Sequence, residues 1–126
     1  MLTNYVHNIS YLAERSFKID SSDRYKAQPD GTFNLPVCFL PAGALITRVY
    51  LQMTLPGNVI ASVGFNEEKD LFISNANLIA ATPYTSAVIA KTKKDGAVIL
   101  NIDNLTDAEG VVYVEYYLPS VIKTEI

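Results

Sequence analysis

The sequence predicts an all-β fold: an antiparallel β-sandwich or jelly roll with an extended N-terminal arm. Three observations predict it. Apolar and polar residues alternate with a period of two in several segments after residue 34. Turn signals separate these segments at intervals of roughly ten residues. No segment shows the spacing of a convincing amphipathic helix. The length of 126 residues fits one domain.

The first clear strand follows the sequence LPAGA at residues 40 to 44. Gly43 permits a turn before the strand, and Pro56-Gly57 ends it, because proline cannot donate to a sheet ladder. Alternate residues are expected on one, nearly all apolar face: Leu45, Thr47, Val49, Leu51, Met53 and Leu55. The other face is mixed, which is typical of a strand packed on one side.

Further strands are predicted over residues 58–65, 71–73, 86–92, 96–103 and 111–119. The sequence KKDG at 93–96 indicates a hairpin turn, because Asp-Gly favours tight turns. In the last strand we expect Val112, Val114, Tyr116 and Leu118 to face inward and Val111, Tyr113, Glu115 and Tyr117 to face outward. Periodicity does not encode the pairing order of strands, so a simple sandwich and a jelly roll both stay open.

Residues 1–34 are predicted to form the extended arm, and residues 35–126 the β-sandwich domain. The arm balances four basic with four acidic side chains, and only SFKI at 16–19 resembles a short strand. Disordered segments are usually poor in aromatic residues. The aromatic side chains of this arm therefore need a surface, on this subunit or on a neighbour. Deletion of residues 2–30 is expected to leave the β-domain folded.

Charge and hydropathy exclude some classes of partner. A net charge of -3 argues against nucleic acid as a partner, since such proteins carry a basic excess. Lys91, Lys93 and Lys94 form the one basic cluster, which we interpret as a solvated turn because Asp95 follows it. No apolar run approaches the ~20 residues of a membrane span, so no membrane partner is predicted.

The sequence offers little to support catalysis. Cys38, the single cysteine, lies in the apolar run LPVCFL and is interpreted as a buried thiol. His7 is the single histidine, and zinc sites need several Cys or His ligands. No glycine-rich phosphate loop is present. We therefore predict no enzyme activity, no cofactor and no metal.

Two acidic segments leave weaker alternatives open. One contains Glu67, Glu68 and Asp70, and the other contains Asp103, Asp107 and Glu109. Oxygen ligands in such loops can hold Ca²⁺, and paired carboxylates can cleave glycosides. Solvated turn carboxylates are the favoured interpretation, because neither segment has EF-hand spacing and the chain has no Trp to line a sugar-binding groove.

The eight tyrosines are many for a chain of this length. One interpretation is ordinary surface tyrosines on strands. The other, which we weigh equally, is a protein-protein interface, where Tyr is enriched. The predicted partner-binding residues are Tyr5, Tyr11, Phe17, Tyr25, Tyr50, Tyr113 and Tyr117.

Four segments together resemble the strand and turn pattern of small β-sandwich structural proteins of tailed bacteriophages. They are LPAGALITRVYLQ, VIASVGFNEEKDLFI, NLIAATPYT and GVVYVEYYLP, and the resemblance covers residues 35–119. The functional class most similar to the chain is that of capsid decoration, or cement, proteins. The arm at 1–34 matches no motif of that family.

The resemblance implies a non-enzymatic virion structural protein, made in the cytoplasm of the bacterial host and placed on the outer capsid surface. Such a protein stabilises an icosahedral capsid by bridging subunits of the major capsid protein, and it self-associates as a homotrimer. The same strand pattern also occurs in phage tail proteins, so a tail or receptor- or glycan-binding β module is the alternative.

Overall fold

The computed structural model describes residues 2–6, 10–19, 33–79, 83–86, 88–103, 107–118 and 120–124, with the backbone alone for 2–6 and 120–124. These residues form eleven strands and no helix, which confirms the all-β prediction. The strands are β1 (Leu2–Val6), β2 (Ser10–Ile19), β3 (Phe33–Leu40), β4 (Leu45–Leu55), β5 (Ile60–Gly64), β6 (Ile73–Asn77), β7 (Tyr84–Ser86), β8 (Ala90–Lys91), β9 (Gly96–Asp103), β10 (Ala108–Tyr117) and β11 (Ser120–Thr124).

Two antiparallel sheets make the sandwich. One has the order β2-β10-β4-β7, with β8 also paired to β4, and the other has the order β3-β9-β5-β6. Between β2 and β10, only the β5–β6 and β7–β8 connections stay within one sheet, and every other connection crosses to the opposite sheet. β1 and β11 form a separate two-stranded ladder.

The core lies between the two sheets, and the alternation predicted for the later strands is confirmed there. Val112 and Val114 of β10 are fully buried, while Tyr116 and Leu118 are partly buried against the core. The largest fully buried side chains are Ile19, Ile46, Leu51, Leu78, Leu100 and Ile102, followed by valines of β4, β5, β9 and β10. Burial of each such side chain contributes about 1.5 to 3 kcal/mol before chain entropy is counted.

The alternation predicted for β4 holds only in the middle of the strand. Val49, Leu51 and Met53 are buried as predicted, but Ile46 is also buried and Leu55 is 47% exposed. In the pairing with β10, Glu115 lies opposite Arg48 and the next residue, Tyr116, lies opposite Ile46. Thr47 is therefore an extra residue of β4. This β-bulge shifts the alternation by one residue. The prediction that Leu45 and Thr47 lie on the same face as Val49 was therefore wrong.

The LPAGA turn is fixed by contacts from a distant part of the chain. Gly43 has a φ of 86°, in the left-handed region that favours glycine. The backbone N–H of Ala44 donates to the Thr92 hydroxyl at 2.9 Å. The backbone N–H of Ala42 donates to the Asp95 carboxylate at 2.8 Å. The turn before β4 is therefore tied to the connection between β8 and β9.

The hairpin predicted at KKDG was wrong. Residues 93–95 connect β8 to β9, and these two strands belong to opposite sheets. The strand predicted over 86–92 is reduced to the two residues Ala90–Lys91 of β8. Asp95 serves the turn before β4 instead of closing a hairpin.

The prediction of no sustained strand before residue 34 was also wrong. β2 pairs with β10 over ten residues, from Ser10 opposite Tyr117 to Ile19 opposite Ala108. The sequence of β2 shows no sustained alternation of apolar and polar residues, because β2 is an edge strand and most of its residues are exposed on both faces. The arm predicted over residues 1–34 thus contains β2, which is paired into the sandwich, and residues 20–32, which lie outside the described part of the chain.

Phe17 is the residue that anchors β2 to the sandwich. It is 6% exposed and packs over Gly110 of β10. A Cβ at position 110 would lie 2.9 Å from the Phe17 ring and 2.8 Å from the backbone oxygen of Gln52, so the close approach requires glycine. Deletion of residues 2–30 would remove this strand, which reverses the expectation that the β-domain folds without them.

We expect Phe17→Ala to lower the free energy of unfolding by about 3 to 5 kcal/mol, because it leaves a cavity over Gly110. Leu12→Ala on the same strand is the matched control. Leu12 is 56% exposed, so its truncation should cost about 0.5 kcal/mol or less. Urea unfolding of the two variants checks this, and equal losses would contradict the placement of β2.

Candidate protein interaction surface

A pair of tyrosines occupies the centre of one outer surface of the sandwich. We call the outward side of β2, β10 and β4 the tyrosine face. Tyr113 of β10 lies directly opposite Tyr50 of β4. Their rings stack with centroids 4.7 Å apart and an interplanar angle of 16°. Both side chains are half-buried, so the stack holds each ring in place while one surface stays open to a partner.

Charged and aliphatic side chains surround the tyrosine pair. Glu115 lies between Leu12 of β2 and Arg48 of β4, in the row next to the tyrosines. The Thr47 hydroxyl of the β4 bulge donates to the Glu115 carboxylate at 2.9 Å and holds that side chain. Leu12 is 56% exposed. Tyr and Arg are the residue types that most often dominate binding energy at protein interfaces.

The structure brings some of the predicted partner-binding residues together and separates others. Tyr50 and Tyr113 form the stacked pair, and Tyr117 is half-buried at the end of β10 opposite Leu45. Tyr11 is 41% exposed and stacks on Tyr116 at 5.4 Å, on the side of the sheet that faces the core. Tyr11 therefore lies at the rim of the core and not on the tyrosine face.

Three other predicted residues fall elsewhere. Phe17 is buried in the core of its own chain, so it cannot contact a partner. Tyr5 lies on β1 opposite Val121, and its side chain is outside the description. Tyr25 lies outside the described residues. The surface role predicted for Phe17 is thus wrong, because the pairing of β2 with β10 turns this side chain into the core.

A groove that the sequence analysis missed lies at the end of the sandwich where β9 begins. We call it the end groove, and its volume is about 710 Å³. One wall is the loop after β5, and the other is the stretch from β8 into β9. The acidic segment at 67–68 and the basic cluster at 91–94 were each predicted as separate solvated turns. The fold brings them to opposite walls of one groove.

One ion pair crosses the end groove. Lys94 Nζ lies 2.6 Å from Glu67 Oε1. The hydrogen bond from Lys94 lowers the pKa of Glu67 below its usual value. Both side chains are exposed, so water screens the pair and its contribution to stability is small.

The alternatives based on carboxylates gain no support from the geometry. Glu67 and Glu68 lie at the end of the sandwich where β9 begins, and Asp103 lies where β9 ends. An eight-residue strand is about 25 Å long, too far for a carboxylate pair drawn from both segments. The described residues contain no group of three or more His, Cys, Asp or Glu that could hold a metal ion. They also contain no helix that could cross a membrane.

The environment of Cys38 is the opposite of what a nucleophilic cysteine needs. Burial raises the pKa of this thiol to about 11, although a hydrogen bond with the backbone of Val98 opposes the shift. Burial beside Cys38 and Tyr11 also raises the pKa of Tyr116 above its ordinary value. Catalytic cysteines have a lowered pKa, so the structure agrees with the interpretation of Cys38 as an inert thiol, although this side chain is partly and not fully buried.

Comparison with known proteins identifies the class. No protein family model and no curated protein matches the sequence. A chain in the acidic stable capsid structure of Helicobacter pylori bacteriophage KHP30 matches with a TM-score of 0.75 and 28% identity, over 99% of this chain and 100% of that chain. A chain in the capsid asymmetric unit of cyanophage Pam1 shares the fold, with a TM-score of 0.57 and 19% identity, over 93% of this chain and 86% of that chain.

The resemblance to phage structural proteins is thereby confirmed. The fold is an antiparallel β-sandwich, and over its whole length the chain is similar to a chain of a phage capsid structure. The KHP30 match supports a capsid-associated protein with a structural role in the virion, and the Pam1 match shows the shared fold. The KHP30 match points to a structural and non-enzymatic protein.

We expect Cys38 in the folded protein to react with a thiol reagent roughly a hundredfold more slowly at pH 8 than a free cysteine does. The reason is that the raised pKa leaves a far smaller fraction as thiolate. Ellman's reagent followed by absorbance measures the rate, and the same protein in urea is the control that should react at the free rate. Fast reaction of the folded protein would contradict the burial of this thiol.

Proposed function

We propose that this protein is a decoration, or cement, protein that binds the outer surface of an icosahedral phage capsid and bridges subunits of the major capsid protein. The observation that carries the proposal is the full-length match to a chain of a capsid structure described as acidic stable. A protein with this role needs a rigid scaffold and a contact surface rather than an active site. The all-β sandwich supplies the first, and the tyrosine face supplies the second.

The tyrosine face is the proposed contact with the capsid. Tyr50 and Tyr113 are held by their mutual stacking, so little side-chain entropy is lost when a partner covers them. Arg48, Glu115 and Leu12 lie in the row beside the pair, and Glu14 of β2 lies directly opposite Tyr113. Such a centre of aromatic side chains with a polar rim is typical of protein interfaces. Tyr117, Tyr11, Tyr5 and Tyr25 stay proposed contacts of this or a neighbouring surface.

The strand order favours a jelly roll as the scaffold. Nine strands fill the two sheets, and β7 and β8 share one edge position beside β4, so each sheet has four strand positions. Successive connections cross between the sheets except at β5–β6 and β7–β8. Double-sheet jelly rolls have this arrangement of two Greek keys and occur in viral capsid proteins. The many contacts between residues distant in the sequence make the scaffold rigid, which suits a protein that clamps a lattice.

We further propose that the protein acts as a homotrimer. Several copies held together contact several lattice subunits at once, so the overall avidity exceeds the affinity of each contact. A repeating capsid surface offers the geometry that this gain requires.

We expect the double variant Tyr50→Ala, Tyr113→Ala to bind emptied phage heads at least about tenfold more weakly than the unmodified protein, because it removes the stacked centre of the contact. Co-sedimentation with purified heads over a range of protein concentrations measures the affinity. Ile79→Ala is the control, since Ile79 is 61% exposed and lies outside the tyrosine face.

Two results would count against the proposal. The unmodified protein could stay in the supernatant at every head concentration, which would remove the decoration role. If it then bound glycans on an array, the receptor- or glycan-binding module would replace the proposal. Equal loss of head binding in Ile79→Ala would show that the tyrosine face is not the specific contact.

A further inference from the structure

β2 leaves one edge of the sandwich open. It is the first strand of its sheet, and no described strand pairs with the side of β2 that faces away from β10. Its ten residues follow β10 in one continuous register without a bulge. A long, regular edge of this kind presents a row of backbone N–H and C=O groups to other chains. β2 is therefore a template for a strand from a second molecule.

The other described edges of the two sheets are interrupted. β3 contains Pro36, beside a shift in its register with β9, and proline cannot donate to a ladder. β6 has five residues, a register shift in its pairing with β5 and a positive φ of 47° at Asn75. β7 and β8 have three and two residues. Prolines, bulges and short strands commonly prevent pairing at an edge, and β2 has none of these features.

Charged side chains limit which strand can pair with β2. Glu14, Arg15 and Lys18 are all exposed, and charges on an edge strand oppose unspecific pairing. Glu14 and Lys18 lie on the outward side of the sheet with Ser16 between them, whereas Arg15 lies on the same side as Phe17. A partner strand therefore has to avoid like charges at these positions.

A second copy of β2 meets this condition in one antiparallel register. Around a two-fold axis normal to the sheet, one residue lies opposite its own copy at the centre of the pairing. A centre at Glu14 or at Arg15 brings like charges together. A centre at Ser16 places Glu14 of each copy opposite Lys18 of the other, and it pairs residues 13–19 of the two chains. A centre on any other residue of β2 brings no opposite charges face to face.

We propose that β2 pairs with β2 of a second copy across a two-fold axis, with Ser16 at the axis. The outer sheets of the two copies then continue into one another, and both tyrosine faces point to the same side because the axis is normal to the sheet. Both faces can thus rest on one capsid surface. The contact specifies part of the self-association in the proposed function and rests on that proposal. A two-fold contact does not build a homotrimer, so it joins copies that belong to different trimers.

Lys18 keeps its partner within its own chain in this arrangement. Its Nζ lies 3.5 Å from Glu109 Oε1 on the neighbouring strand β10. Glu14 of the other copy approaches from the opposite side of β2, so the ammonium group lies between two carboxylates. A lysine ammonium has three donors, which are enough for both contacts.

Crosslinking in solution, without capsids, tests this register. A ladder of this length buries little surface, so the contact is transient and crosslinking captures it. Ser16→Cys places two thiols on directly opposite residues, whose Cα atoms lie about 4.5 to 5.5 Å apart. Leu12→Cys is the matched control, because Leu12 is 56% exposed on the same strand. In the proposed register it lies roughly 26 Å from Leu12 of the other copy.

Both variants carry Cys38→Ala, and thermal melting checks that they fold. A short bismaleimide should form covalent dimers of Ser16→Cys at least about tenfold faster than of Leu12→Cys, because the contact holds the two thiols at a high effective concentration. Gel electrophoresis under denaturing conditions measures the dimers, since it separates copies that are not covalently joined. Equal rates for the two variants would overturn the proposed contact.

Charge reversal tests the two ion pairs. Added to the Ser16→Cys variant, Glu14→Lys and Lys18→Glu each turn two attractive pairs into two repulsive ones. Each should therefore form covalent dimers about fivefold more slowly. A mixture of the two reversed variants restores both attractive pairs, but only in mixed dimers, so its rate should recover. A mixture that does not recover would contradict the register centred at Ser16.

The two proposals fail in different ways. If the unmodified protein co-sediments with phage heads but Ser16→Cys crosslinks no faster than the control, the β2 contact is overturned and the capsid role stands. If Ser16→Cys crosslinks as expected but the unmodified protein stays in the supernatant with heads, the capsid role alone is overturned.

Discussion

The pairing of β10 with both of its neighbours is the interaction on which the rest of the structure depends. β10 is paired over its length with β2 on one side and β4 on the other. Its inward valines fill the core, and its outward side chains form the middle of the tyrosine face. Without this pairing β2 would have no place in the sheet, Phe17 would lose the Gly110 surface on which it packs, and Tyr113 would lose its partner Tyr50.

A local irregularity connects the scaffold to the surface that it presents. The bulge at Thr47 shifts the alternation of β4, which turns Ile46 into the core. The same residue donates its hydroxyl hydrogen to Glu115, beside the tyrosine pair. One extra residue thus adjusts the packing on one side of the sheet and positions a charged group on the other. Bulges commonly have this effect of redirecting side chains next to functional surfaces.

The two outer surfaces of the sandwich differ in chemistry. One carries stacked tyrosines with a polar rim, and the other carries Phe39 beside a groove whose walls have opposite charge. The full-length similarity to a chain of a capsid structure gives the tyrosine face a biological setting.

The sequence by itself determined the all-β class and the alternation of inward and outward residues in β10, because these depend on neighbouring residues. It also placed Tyr113 on the outward face of its strand and Tyr50 on the mixed face of another, and only the pairing of β4 with β10 brought the two together. Only the tertiary structure decided that β2 is an edge strand, that Thr47 shifts β4, and that Glu67 and Lys94 share a groove. Each of these depends on pairing between residues far apart in the chain, which local periodicity does not contain.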